Sequence, residues 1–193
     1  MLLQEKFKNK KNILASQSPR RQELLKGLGL DFSIVRIDAA ESYPHDLVRE
    51  EITEYISRNK ADAYQIANPD EFLITADTLV WMDNLVMGKP KDYDDAFQMI
   101  KRMAGNVHEV FTSVTLKTID KTLTFSETTE VTFDEFTDEE INYYIRNFQP
   151  FDKAGAYGIQ DWLGYTKISR INGCYYNVMG LPLRKLYQEL LEL

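Results

Sequence analysis

A chain of 193 residues with 44% hydrophobic and 27% charged residues has the length and composition of one folded domain, arranged at most as two lobes about one sheet. These values speak against a disordered chain, a fibrous repeat or a membrane protein, and no apolar stretch reaches spanning length. The net charge of −7 and a pI near 5.0 disfavour a broad nucleic-acid-binding face, so any phosphate ligand must meet a local concentration of cations.

The basic N-terminal stretch, residues 1–11, precedes an apolar run too short for a signal peptide, and the expectation is a cytoplasmic protein. Ile13-Leu14-Ala15 reads as a strand, and Ser16-Gln17-Ser18-Pro19-Arg20-Arg21 as the turn into an amphipathic helix. Pro19 suits the first helical position, where its missing N–H costs nothing, and Ser18 is the expected N-cap. The exposed amides of that helix start, with Arg20 and Arg21, make a cradle for a phosphate; the other reading is a solvated helix start flanked by arginines. Gly27 and Gly29 supply the stop. Residues 32–37 alternate loosely as a second strand, and a polar loop then carries Asp38 and Glu41. Val48, Ile52, Tyr55, Ile56, Ala63 and Ile66 recur at helical spacing and predict a helix over about 46–67, with Lys60 late on it. Residues 72–76 read as a buried strand whose end delivers Asp77 and Thr78 to a turn. Residues 79–87 read as a hairpin around Asp83-Asn84, closing on Gly88-Lys89-Pro90.

Residues 93–103 place Ala96, Phe97, Ile100 and Met103 on one helical face, with Gly105 as the stop. Alternation over 107–116 and 123–133 predicts a two-stranded antiparallel ribbon that turns at Ile119-Asp120-Lys121. Thr137 to Glu140 has the capping-box spacing and opens a helix to about Asn147. The glycine-punctuated segment 151–160 reads as a functional loop. Cys174, the single cysteine, excludes an intrachain disulfide and a thiolate metal site, fits a reducing compartment and reads as a small buried hydrophobe. Gly180-Leu181-Pro182 starts a last helix with Leu183, Leu186, Leu190 and Leu193 on its buried side.

Asp77, leaving a buried strand, stands where carboxylates of open α/β sheets line a ligand crevice, although a turn aspartate capping its own backbone through Thr78 reads the same way. Glu41 faces it if both strand ends open on one edge; taken alone it is a surface acid. Two carboxylates and a phosphate suffice to hold Mg²⁺, which prefers oxygen ligands and keeps waters. Lys89 can reach phosphate oxygens as a point charge or be solvated, and the loop is no P-loop, since the spaced glycines and the Ser or Thr after the lysine are missing. Lys60 and Lys153 add cations. His45 and His108 lack metal-ligand spacing, and no Gly-x-Ser-x-Gly motif points to acyl transfer. Tyr43, Tyr157, Trp162, Tyr165, Tyr175 and Tyr176 offer a stacking surface for a base or simply fill core and rim.

Taken in order, Ser16-x-Ser18-Pro19-Arg20-Arg21, Ala76-Asp77-Thr78, Gly88-Lys89-Pro90, Asp152 to Gln160 and Asn177 to Pro182 resemble the motifs of the Maf family of nucleotide pyrophosphatases, and the likeness covers nearly the whole chain. It implies one domain over 1–193 with a mixed α/β fold of the inosine-triphosphatase-like kind: an elongated mixed sheet, flanking helices and a cleft between two lobes. The implied activity is metal-dependent cleavage of a nucleoside triphosphate to the monophosphate and pyrophosphate. A divalent cation, Mg²⁺ or Mn²⁺, would be the cofactor and Glu41 and Asp77 its ligands. The family's general base matches Asp77 and its second acid Glu41. Its phosphate-contacting cations match Arg21, Lys60 and Lys89, with Ser16 lining the same loop. Arg20, Thr78 and Gln160 match positions tied to base specificity. Ala76-Asp77-Thr78 and Tyr157-Gly158-Ile159-Gln160 resemble the branch acting on dTTP and UTP, with modified pyrimidine nucleotides as further candidates. Asp161 departs from the glycine that commonly follows the glutamine. A homodimer is implied, with no nucleic-acid or membrane partner. Two other readings stay open: a non-catalytic nucleotide-binding regulator of cell division, and a phosphatase that frees the γ-phosphate.

Overall fold

The computed structural model describes residues 2–193; Met1, with which the basic N-terminal stretch begins, lies outside them. In chain order the elements are α1 (Leu3–Lys6), β1 (Lys11–Leu14), α2 (Pro19–Gly27), β2 (Ser33–Ile34), α3 (Glu50–Asp62), β3 (Glu71–Met82), β4 (Leu85–Met87), α4 (Tyr93–Met103), β5 (Val107–Lys117) and β6 (Thr122–Phe133). There follow α5 (Asp138–Phe148), 3-10 turns at Pro150–Asp152 and Ala154–Ala156, α6 (Trp162–Lys167), β7 (Ile168–Asn172), α7 (Tyr175–Val178) and α8 (Leu183–Glu192). The described strands form one seven-stranded mixed sheet in the order β2-β1-β3-β5-β6-β7, with β4 paired to β3. β1 is parallel to β2 and β3, whereas β4 and β7 run antiparallel to β3 and β6. The chain divides into two compact units, the first holding the residues up to Asp77, Thr112–Glu127 and Gly180–Leu193, the second Thr78–Phe111 and Thr128–Met179.

In the first unit, β1 lies in register with the start of β3, Lys11 beside Glu71 and Leu14 beside Ile74. Ile13, Ala15, Ala61 and Leu73 close one core there. A parallel pair covered on both faces reads as an unbroken apolar run, as residues 72–74 do. Beside this apolar contact, α3 meets the sheet through a seam of hydroxyls. The Thr53 and Ser113 hydroxyls lie 2.6 Å apart, those of Ser57 and Thr115 3.0 Å, and the Thr75 hydroxyl donates to the Ser57 carbonyl at 2.6 Å. Ser113 and Thr115 continue the seam to Ser126 and Thr124. Each buried hydroxyl has a partner, so the seam carries no desolvation debt and fixes where α3 sits along the strands.

The second unit has a conventional apolar core, including Val80, Ile100, Met103, Phe133, Tyr144 and Ile145. The β3–β4 hairpin turns through Asp83 and Asn84 at φ of 51° and 60°, residue types that tolerate the left-handed region. α4 is capped by Asp92 and α5 by the Thr137–Glu140 capping box.

Several expectations change. Asp77 and Thr78 do not sit in a turn: β3 runs unbroken from Glu71 to Met82 and carries both in its interior, which removes the turn-aspartate reading. The second strand shrinks to Ser33–Ile34, both exposed, because β2 pairs with β1 over only two positions at the sheet edge. α3 spans Glu50–Asp62 rather than 46–67: Arg49 at φ 55° breaks the helical path before it, and Ala63 already serves as its C-cap. Cys174 is half-buried, not buried. α1, α6, β7 and α7 were not legible in the pattern; they are short, and β7 is mostly exposed.

Glu71, at the start of β3, accepts from the Lys11 ammonium at 2.9 Å, the Ala67 amide at 2.9 Å and the Asn68 side chain at 3.4 Å. The bond from Lys11 and the backbone N–H hold its carboxyl at about 2, below the ordinary 4.5. A depressed acid stabilises the fold above its ordinary pKa, and that contribution is lost as pH falls from about 4.5 to about 2. Thermal melts across pH should therefore find Glu71→Gln less stable than the wild type at pH ~7, with the two curves converging on acidification below the carboxylate range near ~4.

Candidate functional site

The chain leaves β1 through a loop that is braced by its own side chains. The Ser18 amide donates to the Ser16 hydroxyl at 3.3 Å, the Gln22 side chain donates to the Ser16 carbonyl at 3.1 Å, and Ser18 caps α2 by accepting from the Arg21 amide. Pro19 opens the helix, as its fixed φ suits. Arg21 stands in the first turn. Its Nε donates to the Gly180 carbonyl at 2.7 Å and its Nη1 to the Ala76 carbonyl at 3.0 Å, so the guanidinium is clamped to the backbone immediately before Asp77. Burial pushes the Arg21 guanidinium below its ordinary value, while Asp77 and Glu41 oppose that shift and Arg20 adds to it. Arg20 itself is half-buried.

Lys60, on the last turn of α3, brings the acids together. Its ammonium donates to Asp77 Oδ1 at 2.8 Å and to Glu41 Oε1 at 2.9 Å. The Lys60 and Asp77 side chains are 15% and 14% exposed and Glu41 is 61% exposed, so the first pair is largely dry and the second reaches water. Burial raises the Asp77 pKa; the Lys60 and Arg21 charges hold it down and the Glu41 carboxylate adds to the rise. The result is a desolvated carboxylate with enhanced proton affinity, flanked by two fixed cations and one solvated acid.

Glu41 and Asp77 aim oxygens at one point, where both accept a hydrogen bond from Lys60. Among the described residues no group of three or more His, Cys, Asp or Glu side chains could hold a metal ion. A pair of hard carboxylate oxygens therefore fits Mg²⁺ or Mn²⁺ only in company with ligand oxygens and waters, which is how Mg²⁺ is commonly bound.

The remaining expected site residues belong to the second unit. Thr78 follows Asp77 in β3 and is half-buried. Lys89 is exposed in a loop whose Gly88 carbonyl accepts from the Gly155 amide at 3.0 Å. Gln160 is half-buried in a turn between Gly158 and Asp161. Lys153 lies 2.8 Å from Asp152 and 3.6 Å from Asp161. His108 is buried, its Nε2 2.7 Å from the Tyr157 hydroxyl, and burial holds it at about 4; it is a core residue. Sequence reasoning missed Tyr144, whose hydroxyl bonds the Asp161 carboxylate, because a tyrosine on an apolar helix face carries no local signal of its distant partner.

The comparisons with known proteins agree with one another. Residues 11–193 match the family model for Maf-like protein. The chain is 52% identical over 183 residues to the dTTP/UTP pyrophosphatase of Bacteroides thetaiotaomicron, covering 94% of this chain and 95% of that one. It is 51% identical to the dTTP/UTP pyrophosphatase of Phocaeicola vulgatus over 98% of this chain and 99% of that one, and 49% identical to that of Flavobacterium johnsoniae over the full length of both.

If Lys60 holds the Asp77 carboxyl down against its burial, Lys60→Met should raise that pKa further, as a carbon-13 NMR titration of the aspartate carboxyl would detect. An unchanged titration would mean that the ion pair contributes nothing to the charge state of Asp77.

Proposed function

The chain belongs to the Maf family, and on that premise we propose that it is a nucleoside triphosphate pyrophosphatase acting on dTTP and UTP, with modified pyrimidine nucleotides as further substrates. The observation that carries the reading is the desolvated Asp77 carboxylate held between Lys60, Arg21 and Glu41 in a chain about half identical to enzymes of that name. In the proposed reaction water attacks the α-phosphorus and gives a proton to Asp77. The bond from the α-phosphorus to the bridging oxygen breaks, pyrophosphate leaves with that oxygen, and the nucleoside monophosphate remains.

Asp77 suits the task because a carboxylate at its ordinary pKa of ~4 is a poor base toward water at neutral pH, and burial raises its proton affinity. The clamped Arg21 and the Lys60 ammonium offset negative charge that grows on the phosphoryl oxygens, and they do so without reorganising. A divalent cation at Glu41 and Asp77, Mg²⁺ or Mn²⁺, would supply Lewis-acid polarisation of phosphoryl oxygens. Ser16 braces the loop that presents Arg21. Roles for Lys89 on phosphate and for Arg20, Thr78 and Gln160 in base selection rest on family likeness alone. The same holds for a homodimer. Among the described residues no helix is long and apolar enough to cross a membrane, and the cytoplasmic setting is proposed from the single cysteine, which fits a reducing compartment. The enzyme reading is preferred to a non-catalytic regulator because the relatives carry the name of an enzyme and the acids share a cation.

Purified protein given Mg²⁺ or Mn²⁺ and a nucleotide panel should release pyrophosphate from dTTP and UTP; orthophosphate would indicate γ-cleavage, and no turnover a binding protein. Asp77→Asn should lower kcat by about 10²–10⁴-fold, the usual worth of a general base. Because folding raises this acid's pKa, its stabilising effect is present below its ordinary pKa and is lost as pH rises through the folded value. At neutral pH its charge therefore lends the fold no stability, and the Tm of Asp77→Asn should stay within about 4 °C of the wild type, the span of ~1 kcal/mol at this chain length. The wild-type kcat/KM should decline on the acid side at a pH above ~4, the ordinary carboxylate value.

A further inference from the structure

The turn that carries Gln160 is locked by a side chain two elements away. The Asp161 amide donates to the Gly158 carbonyl at 3.0 Å, closing a four-residue turn with Gln160 in its third position. The Asp161 carboxylate then accepts from the Tyr144 hydroxyl at 3.0 Å, and that same hydroxyl accepts from the Gly158 amide at 3.0 Å. The Lys153 ammonium stands 3.6 Å from the same carboxylate oxygen. Tyr144 is fully buried on α5, and burial together with the neighbouring Asp161 charge pushes its phenol well above the ordinary value, so it remains a proton donor. Both ends of the turn are thereby tied to one rigid atom of the second unit's core.

The packing leaves no slack. A Cβ on Gly158 would stand 2.5 Å from Asp161 Oδ2 and 3.1 Å from Lys153 Cε, and a Cβ on Gly164 would stand 1.9 Å from the Ile159 carbonyl oxygen. Neither position admits a side chain while the turn keeps this shape.

We propose that Asp161 is a positioning residue for Gln160, fixing the turn so that the Gln160 side chain leaves the backbone at one place and in one direction, toward the base. The inference rests on the reading that Gln160 selects the base. The chemistry gains from such rigidity: uracil and thymine offer an acceptor at O4 where cytosine offers an N4 donor, and a glutamine whose backbone wanders can shift to meet either. Discrimination built on hydrogen bonds is large only when the wrong base leaves a group unpaired, which requires the backbone that presents the reading side chain to be held. Tyr144, through Asp161 and the Gly158 amide, holds that backbone.

The test compares kcat/KM for UTP and CTP in the wild type, Gln160→Ala, Asp161→Ala, Asp161→Asn and Tyr144→Phe, together with exchange of the Gly158 amide followed by NMR. Asp161→Ala should lose as much UTP-over-CTP preference as Gln160→Ala does, about 10-fold or more, with the KM for UTP rising by a larger factor than kcat falls. Asp161→Asn keeps an acceptor for the Tyr144 hydroxyl and should recover most of that preference. The Gly158 amide should exchange faster in Tyr144→Phe and Asp161→Ala than in Gln160→Ala. If Asp161→Ala does not fold, Tyr144→Phe, which removes one hydroxyl, carries the same kinetic expectation. Lost preference in Gln160→Ala with intact preference in Asp161→Ala overturns the positioning role alone. Intact preference in Gln160→Ala overturns base selection by Gln160, and the present inference with it.

Discussion

One ammonium group organises the first unit's chemistry. Lys60 holds Asp77 and Glu41 at 2.8 Å and 2.9 Å, and without it a carboxylate 14% exposed inside a strand would have only the Arg21 charge as counterweight. Burying charge is costly unless the partners are well placed and their remaining donors and acceptors are used. Here they are: Arg21 spends two donors on the carbonyls of Ala76 and Gly180, and Lys60 spends two on carboxylates. The cluster is formally balanced, two cations against two acids, which lets its Lys60–Asp77 pair stay largely dry while burial leaves Asp77 with more appetite for a proton than a solvated aspartate has.

What aims the ammonium is the seam beneath α3. Burial of an apolar helix face is non-directional, and its position is set by packing alone. Hydroxyl pairs add direction, since each slide would break several directional bonds at once and orphan buried groups. Ser57, one turn before Lys60, is bonded to Thr115 and to Thr75, the residue two before Asp77. The acid and the base of the ion pair are thus referenced to the same three side chains.

Much of this was readable in the chain. Helices over 93–103 and from 137 onward followed from apolar spacing and caps that are local, and the Asp83-Asn84 hairpin from a turn chemistry that is local too. The strand reads from sequence as ending at Ala76 because Asp77 and Thr78 interrupt the pattern there, and a polar interruption looks like a strand's end when the partner that satisfies it, Lys60 for Asp77, lies far off in sequence. Residue type and family likeness single out Glu41 and Asp77; that Lys60 joins them is a tertiary fact with no periodic signature. The tie from Tyr144 to Asp161 was illegible for the same reason, and the exposed β7 because an edge strand of mixed polarity has no alternation to detect.

The seam also sets a unit of length. Thr53 and Ser57 are four helical residues apart, ~6.0 Å of rise, and they meet Ser113 and Thr115, two strand residues apart, ~6.6–6.8 Å. The two rulers nearly agree, so helix and strand mesh like teeth of equal pitch, and the mesh has no intermediate settings. Moving the Lys60 ammonium along the sheet would therefore take a whole step of the mesh and not the adjustment of a single contact.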